Sequence, residues 1–194
     1  MRKTRIFAII LSLSFILSAC NEISNTELND TLTIQSNTED ITYTEYSASD
    51  NYGSLGALEN ATFSVDEMVI YALQDEYTAK QEYAYIVKTF NVERPFTNII
   101  DSEDTHISLL LPLFDIHDIP PIDDDSLEHI VSIYSIEEAF ATGVQAEISN
   151  ISMYNLFLEQ ENLPEDIREV FIKLRDASKN HLSAFQRNVD KFKI

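Results

Sequence analysis

Five residues of the types that bind metal ions stand out in this chain: Glu76, Glu103, His106, Glu147 and His181. Each of them lies near the middle of an apolar stripe that recurs with the periodicity of an α-helix. A carboxylate or an imidazole in such a stripe is strongly unfavourable unless it is paired or coordinated. A cation shared between four helices would satisfy all five groups at once. We therefore predict that these residues bind metal.

The spacing of two of these residues points to a particular kind of centre. Glu103-Asp-Thr-His106 is a Glu-x-x-His pair, which places a carboxylate and an imidazole on one side of a helical turn. Combined with a glutamate from each of two other helices, such pairs build carboxylate-bridged dimetal sites. A second pair would require a glutamate three residues before His181, but Ser178 occupies that position. We therefore expect either an asymmetric pair of ions or a single ion.

Carboxylate and imidazole ligands with open positions favour iron or manganese, and zinc is acceptable. The chain has one cysteine, which excludes an internal disulfide and an iron site held by four thiolates. We expect iron, either as a di-iron centre or as a single ion, with manganese or zinc as alternatives. Four further residues are expected near the ligands, either as hydrogen-bonding partners or as ordinary core residues: Tyr83, Asn150, Tyr154 and Ser178.

The elements that must position these residues are helices. Two capping boxes, Ser64–Glu67 and Ser135–Glu138, each precede a long apolar-periodic segment, and no alternating strand pattern appears over 65–192. The predicted helices cover about 65–91, 95–111, 136–159 and 164–191. Pro112 is expected to end the second helix, and 112–134 form a long connection with room for a helical turn. The pattern predicts an all-α, ferritin-like four-helix bundle of two antiparallel hairpins joined by a long crossover.

The N-terminal segment has the pattern of an export signal. Positive residues precede a short apolar run, and Leu17-Ser-Ala-Cys20 resembles a bacterial lipobox in which Cys20 is lipidated. An uncleaved anchor helix is the alternative. Residues 20–62 contain no Lys or Arg and predict an acidic, disordered tether, with an arm packed on the domain as the alternative. The predicted domains are a signal peptide over 1–19, the tether over 20–62 and a helical domain over 63–194.

The charge of the chain limits its partners. It contains 13 Lys+Arg and 33 Asp+Glu, a formal charge of -20. Such a surface repels nucleic acid and anionic headgroups, so the lipid on Cys20 would hold the protein to the membrane. We expect an extracytoplasmic protein anchored to the bacterial cell membrane, with the outer membrane left open. Metal ions are the expected ligands, nucleic acid is not a partner, and the sequence leaves a homodimer open.

Several segments resemble known ferritin-like proteins. Asp75–Tyr83 and Glu103–His106 are similar to the first two helices of rubrerythrin-type proteins. Pro95–Ile100, Ala146–Tyr154 and Ser178–Phe185 resemble an uncharacterised ferritin-like family, number 2202 among the domains of unknown function (DUF2202). The resemblance covers about 65–192. It implies metal ligation by Glu76, Glu103, His106, Glu147 and His181, but it supplies no reaction.

Three functions are compatible with this sequence. Ferritin-like carboxylate sites react with dioxygen or peroxide, so the leading hypothesis is an oxidoreductase acting on peroxide, dioxygen or ferrous iron. The first alternative is a lipoprotein of the envelope that binds metal without turnover, which the serine at position 178 favours. The second is a structural or interaction lipoprotein in which the polar core residues hydrogen-bond one another.

Overall fold

The computed structural model describes residues 51–193. Within that range the chain is all-helical, with five α-helices and no strand. The predicted signal peptide over 1–19, the lipidation site Cys20 and the tether as far as residue 50 lie outside the described residues. The helices are α1 (Gly53–Leu58), α2 (Val65–Phe90), α3 (Phe96–Ile116), α4 (Ile136–Leu158) and α5 (Glu165–Val189), with 3-10 turns at Ser126–Glu128 and Asp190–Lys193.

Side-chain caps fix where α2 and α4 begin. The Ser64 hydroxyl accepts a hydrogen bond from the Glu67 backbone N–H at 3.2 Å, and the Glu67 carboxylate accepts one from the Ser64 backbone N–H at 2.7 Å. At α4 the Ser135 hydroxyl accepts from the Glu138 N–H at 3.1 Å. These bonds satisfy N–H groups that lack a partner within the helix. Both helix starts predicted from the sequence are confirmed.

The predicted end of α3 is wrong. The helix continues through Pro112 to Ile116. A proline inside a helix removes one backbone hydrogen bond and costs about 3 kcal/mol. Leu113 and Phe114 are buried in the turn that follows, and burying each such side chain contributes roughly 1.5–3 kcal/mol. Tertiary packing therefore offsets the local cost of the proline.

The four long helices pack in pairs around a polar layer. Helix α2 packs on α3 and α4 packs on α5, while α2 also contacts α4 and α3 contacts α5. Two apolar clusters occupy the interior. The first includes Leu73, Leu110, Phe157 and Phe171, and the second includes Tyr83, Phe96, Phe140 and Phe185. On each long helix, the predicted ligand residues lie between the residues of the two clusters.

The N-terminal arm of the described chain departs from the prediction of a tether extending to residue 62. Helix α1 contacts α2 and α4, and four of its six residues are buried. The backbone at Gly56 lies close to that of Asn51. A Cβ on Gly56 would lie 2.3 Å from the Asn51 carbonyl carbon. Residues 51–58 therefore form an arm packed on the domain, as the alternative prediction for this segment has it. Across 51–193, every helix is too short or too polar to cross a bilayer.

Candidate metal centre

The structure brings the five predicted ligand residues together in the polar layer. All five are buried, and the most exposed of them retains 8% of its accessible surface. Their donor atoms form two groups, within each of which all atoms lie within 4.8 Å of one another. The groups are Glu76, Glu103 and His106, and Glu103, Glu147 and His181. These buried carboxylate and imidazole clusters could hold a metal ion.

Glu103 belongs to both groups because its two oxygens face different histidines. Its Oε2 atom lies 2.6 Å from His106 Nδ1, which is also 2.9 Å from Glu76 Oε2. Its Oε1 atom lies 3.2 Å from His181 Nδ1, which is 3.5 Å from Glu147 Oε1. Both atoms are near the buried His181 Nδ1, but neither contact has the geometry of a hydrogen bond. The donor atoms therefore point towards two positions on either side of one carboxylate.

The far sides of both imidazoles meet at Ser102. Its hydroxyl lies 3.2 Å from His106 Nε2 and 3.1 Å from His181 Nε2. A hydroxyl oxygen has two lone pairs, so it can accept from both Nε2–H groups when both Nδ1 atoms bind a cation. Sequence reasoning missed Ser102. Its position four residues before His106 was the available signal, since i and i+4 share a helix face.

The two predicted tyrosines hydrogen-bond the outer carboxylates across the interior. Tyr154 of α4 donates to Glu76 Oε1 of α2 at 2.6 Å, and Tyr83 of α2 donates to Glu147 Oε1 of α4 at 2.9 Å. Tyr83 follows Glu76 by the same number of residues as Tyr154 follows Glu147. The two contacts are therefore reciprocal: the tyrosine of each helix donates to the glutamate of the other. Both hydroxyls hold carboxylates in place, in addition to the packing of their rings.

Ser178 and Asn150 occupy the region where a second Glu-x-x-His pair would place a carboxylate. The Ser178 hydroxyl donates to Asn150 Oδ1 at 2.7 Å. The Asn150 amide donates to Asp75 Oδ2 at 2.7 Å and to Glu76 Oε1 at 3.2 Å. Asp75, which sequence reasoning missed because it lies beside the apolar stripe, also accepts the Ser54 backbone N–H at 2.7 Å. This network connects the N-terminal arm to the centre.

Burial and mutual pairing change the protonation of the centre. Burial raises the pKa of Glu76 to about 8 and that of Glu147 to about 7, and the charge of Glu103 adds to both shifts. Burial alone would lower the pKa of each imidazole, but the adjacent carboxylates raise it to about 10 at His106 and about 9 at His181. Burial opposes ionisation of Glu103 as well, yet the imidazoles hold its pKa below the usual range.

The donor set is consistent with divalent cations. Without a cation, protons shared among the imidazoles and the outer carboxyls would compensate the buried negative charge. Three carboxylates and two imidazoles are ligands that iron, manganese and zinc accept. Metal ions can replace these protons, because a ligand must be deprotonated to bind.

A cavity of about 410 Å³ adjoins the centre. It is lined by residues of the arm, α2, α4 and the segment 128–134, and the carboxylate residues Glu76, Glu103 and Glu147 form part of its wall. Neither His106 nor His181 lines it. The cavity therefore reaches the carboxylates from the side of α2 and α4.

No family model and no curated protein matches the chain. Among solved structures, a hypothetical protein from Methanococcus jannaschii is similar to it, with a TM-score of 0.58 and 23% identity. The match covers 66% of this chain and 81% of that chain. At this identity the similarity bears on the fold alone. The resemblance to rubrerythrin-type and DUF2202 proteins stays a prediction.

Proposed function

We propose that this chain is a membrane-tethered, ferritin-like protein with a dinuclear metal centre. Four long helices in two packed pairs, joined by a long connection, support the ferritin-like four-helix architecture. A buried layer of metal-ligand residues between two apolar clusters supports the centre. The lipobox at Cys20 supports attachment to the outer face of a bacterial membrane.

The proposal depends on the position of the Glu103 carboxylate. Each oxygen of this carboxylate faces a different histidine, and each histidine has a further glutamate beside it. In the proposed centre two ions would share the Glu103 carboxylate. Glu76 and His106 would hold one ion, and Glu147 and His181 would hold the other. Three carboxylates do not neutralise two divalent cations, so water or an anion would complete the coordination.

Iron is the metal we propose, with manganese or zinc as alternatives. When bound, iron would supply electrons for the reduction of peroxide or dioxygen. The chain itself fixes the ligands: Tyr83 and Tyr154 hold the outer carboxylates, and Ser102 orients both imidazoles. The apolar clusters cover the layer on two sides along the helices, and the cavity reaches its carboxylates from the side of α2 and α4.

A second candidate function is metal binding without turnover. Ser178 donates a hydrogen bond to Asn150 at the place where a further carboxylate ligand would lie. The ion next to His181 then has one carboxylate fewer than a symmetric centre would give it, which favours weaker binding and release. A lipoprotein of this kind would buffer or sense metal in the cell envelope.

Metal titration of the full-length, detergent-solubilised chain tests the proposal. We expect two equivalents of Fe²⁺, Mn²⁺ or Zn²⁺ per chain, and a loss at both positions in Glu103→Gln. The matched control is Asp104→Asn, which removes the adjacent but exposed carboxylate that pairs with Lys80. Binding in Glu103→Gln equal to that of the wild type would contradict the bridge.

Peroxide consumption separates the two candidate functions. The iron-loaded protein should consume peroxide, and His106→Ala should not. Two tightly bound ions without consumption would favour the buffering function.

Attachment is tested separately: Cys20→Ala should release the chain from the membrane fraction, and retention there would contradict the lipid anchor.

A further inference from the structure

The cavity beside the centre is larger than the proposed inorganic substrates require. A water molecule, which is close to peroxide and dioxygen in size, takes about 30 Å³ of liquid volume. The cavity measures about 410 Å³, within the roughly 300–1,000 Å³ range of sites for small organic ligands. Its size therefore suits an organic molecule lying next to the carboxylates.

The wall of the cavity has an apolar and aromatic side. Leu55 of the arm lines it, together with Ile130, Val131 and Tyr134 of the connection. At the same place the Tyr52 ring stacks on His129 at 3.7 Å between ring centroids. Such a surface suits the apolar body of a ligand, whereas a route for ions alone would not need it.

The remaining wall is polar and includes several carboxylates. Besides the proposed ligands, Asp75, Glu82 and Glu128 line the cavity, and within residues 51–193 no Lys or Arg lines it. Glu82 is 1% exposed, and its carboxylate accepts the Val131 backbone N–H at 3.4 Å. A carboxylate oxygen has capacity for several donors. Asp75, Glu82 and Glu128 lie outside the proposed ligand set, and their carboxylates can pair with a cationic group.

We infer that this cavity binds a small organic amine, whose apolar body contacts the arm and the 130–134 segment and whose ammonium group pairs with Glu82 or Asp75. The inference rests on the proposed function, because it names the class of molecule brought next to the metal centre. It also gives the packed arm a role, since Leu55 forms part of the site.

Ligand binding to the zinc-loaded, full-length chain tests the inference, and zinc avoids turnover. The probes are phenethylamine and the neutral phenethyl alcohol, measured by calorimetry. We expect phenethylamine to bind at least tenfold more tightly than phenethyl alcohol. Equal binding of the two probes, or no binding of the amine, would overturn the inference.

Variants locate the binding site. Ala146 and Ser149 both line the cavity. Ala146→Phe and Ser149→Leu place larger side chains there, and each should weaken phenethylamine binding at least tenfold. The control is Ala184→Phe on α5, another partly exposed alanine, which does not line the cavity. Circular dichroism confirms folding of each variant. Unchanged amine binding in both cavity variants would overturn the inference.

Zinc stoichiometry separates this test from that of the metal centre. Two bound zinc ions with no amine binding reject the cavity inference and leave the proposed centre intact. Absence of zinc binding rejects the proposed centre itself. Slower zinc uptake in Ala146→Phe with no amine bound by the wild type would overturn the inference and indicate a route for metal ions.

Discussion

Metal binding should tighten steeply as the pH rises from 6 to about 8, because the metal-free centre holds protons that the ions must displace. Burial raises the pKa of Glu76 to about 8 and of Glu147 to about 7. The neighbouring carboxylates raise the pKa of His106 to about 10 and of His181 to about 9. All four groups bind metal only after losing a proton.

The size of the effect follows from the number of protons displaced. The raised pKa values of the imidazoles and of the outer carboxyls mean that the cluster as a whole holds several protons near pH 7. Loading both positions should therefore release more than one proton per chain. The overall association constant for two ions should then rise more than tenfold per pH unit near pH 7.

Calorimetry with zinc measures this release. Titrations at pH 7 in buffers of different ionisation enthalpy give the number of protons from the slope of observed enthalpy against buffer enthalpy. We expect more than one proton for the wild type and for Asp104→Asn. Release of less than one proton, or an affinity that does not change between pH 6 and about 8, would refute the assignment of these ligands.

Three further predictions concern stability and ligand orientation. Without metal, the thermal midpoint should fall as the pH rises from about 6 to 10, because groups with a raised folded-state pKa lose their stabilising contribution as they deprotonate; a constant midpoint would contradict this. Ser102→Ala should weaken binding of both ions by about 10–100-fold in zinc titrations. The control is Ser108→Ala, an exposed position on the same helix, which should have no effect. Weaker binding at one position only would contradict the shared role of Ser102. Gly143→Ala should lower the unfolding free energy by about 1–3 kcal/mol, since its Cβ would lie 2.9 Å from the Phe185 ring, and denaturant unfolding that matches the wild type would count against this.

The helix starts were predictable because their causes are local. A serine followed three residues later by a glutamate satisfies N–H groups at the start of α2, and the structure contains both hydrogen bonds. Proline is also a local signal, but at Pro112 it failed. The burial of Leu113 and Phe114 depends on other helices, which the local sequence does not show.

The convergence of the five ligand residues was predictable because each one interrupts an apolar stripe. Helical periodicity places such a residue in the interior, and its depth along the helix sets the layer it occupies. Ser102 and Asp75 interrupt no apolar stripe, and polar residues beside a stripe are also typical of a solvated face. The contact of Ser102 with His181 and that of Asp75 with Ser54 depend on the packing of α3 against α5 and of the arm against α2.

The arm and the cavity depend on contacts distant in sequence. Helix α1 has six residues and too little periodicity to distinguish it from a polar tether. Its position is fixed by the bond from the Ser54 N–H to Asp75 and by the close approach at Gly56. The cavity forms where this arm, α2, α4 and the connection meet.

Anomalous diffraction from crystals of the manganese-loaded, full-length chain tests the bridging role of Glu103 most directly. The account predicts two peaks about 3.5–4 Å apart, one on each side of the Glu103 carboxylate and each next to the Nδ1 atom of one histidine. A single peak, or peaks confined to exposed acidic side chains, would contradict it.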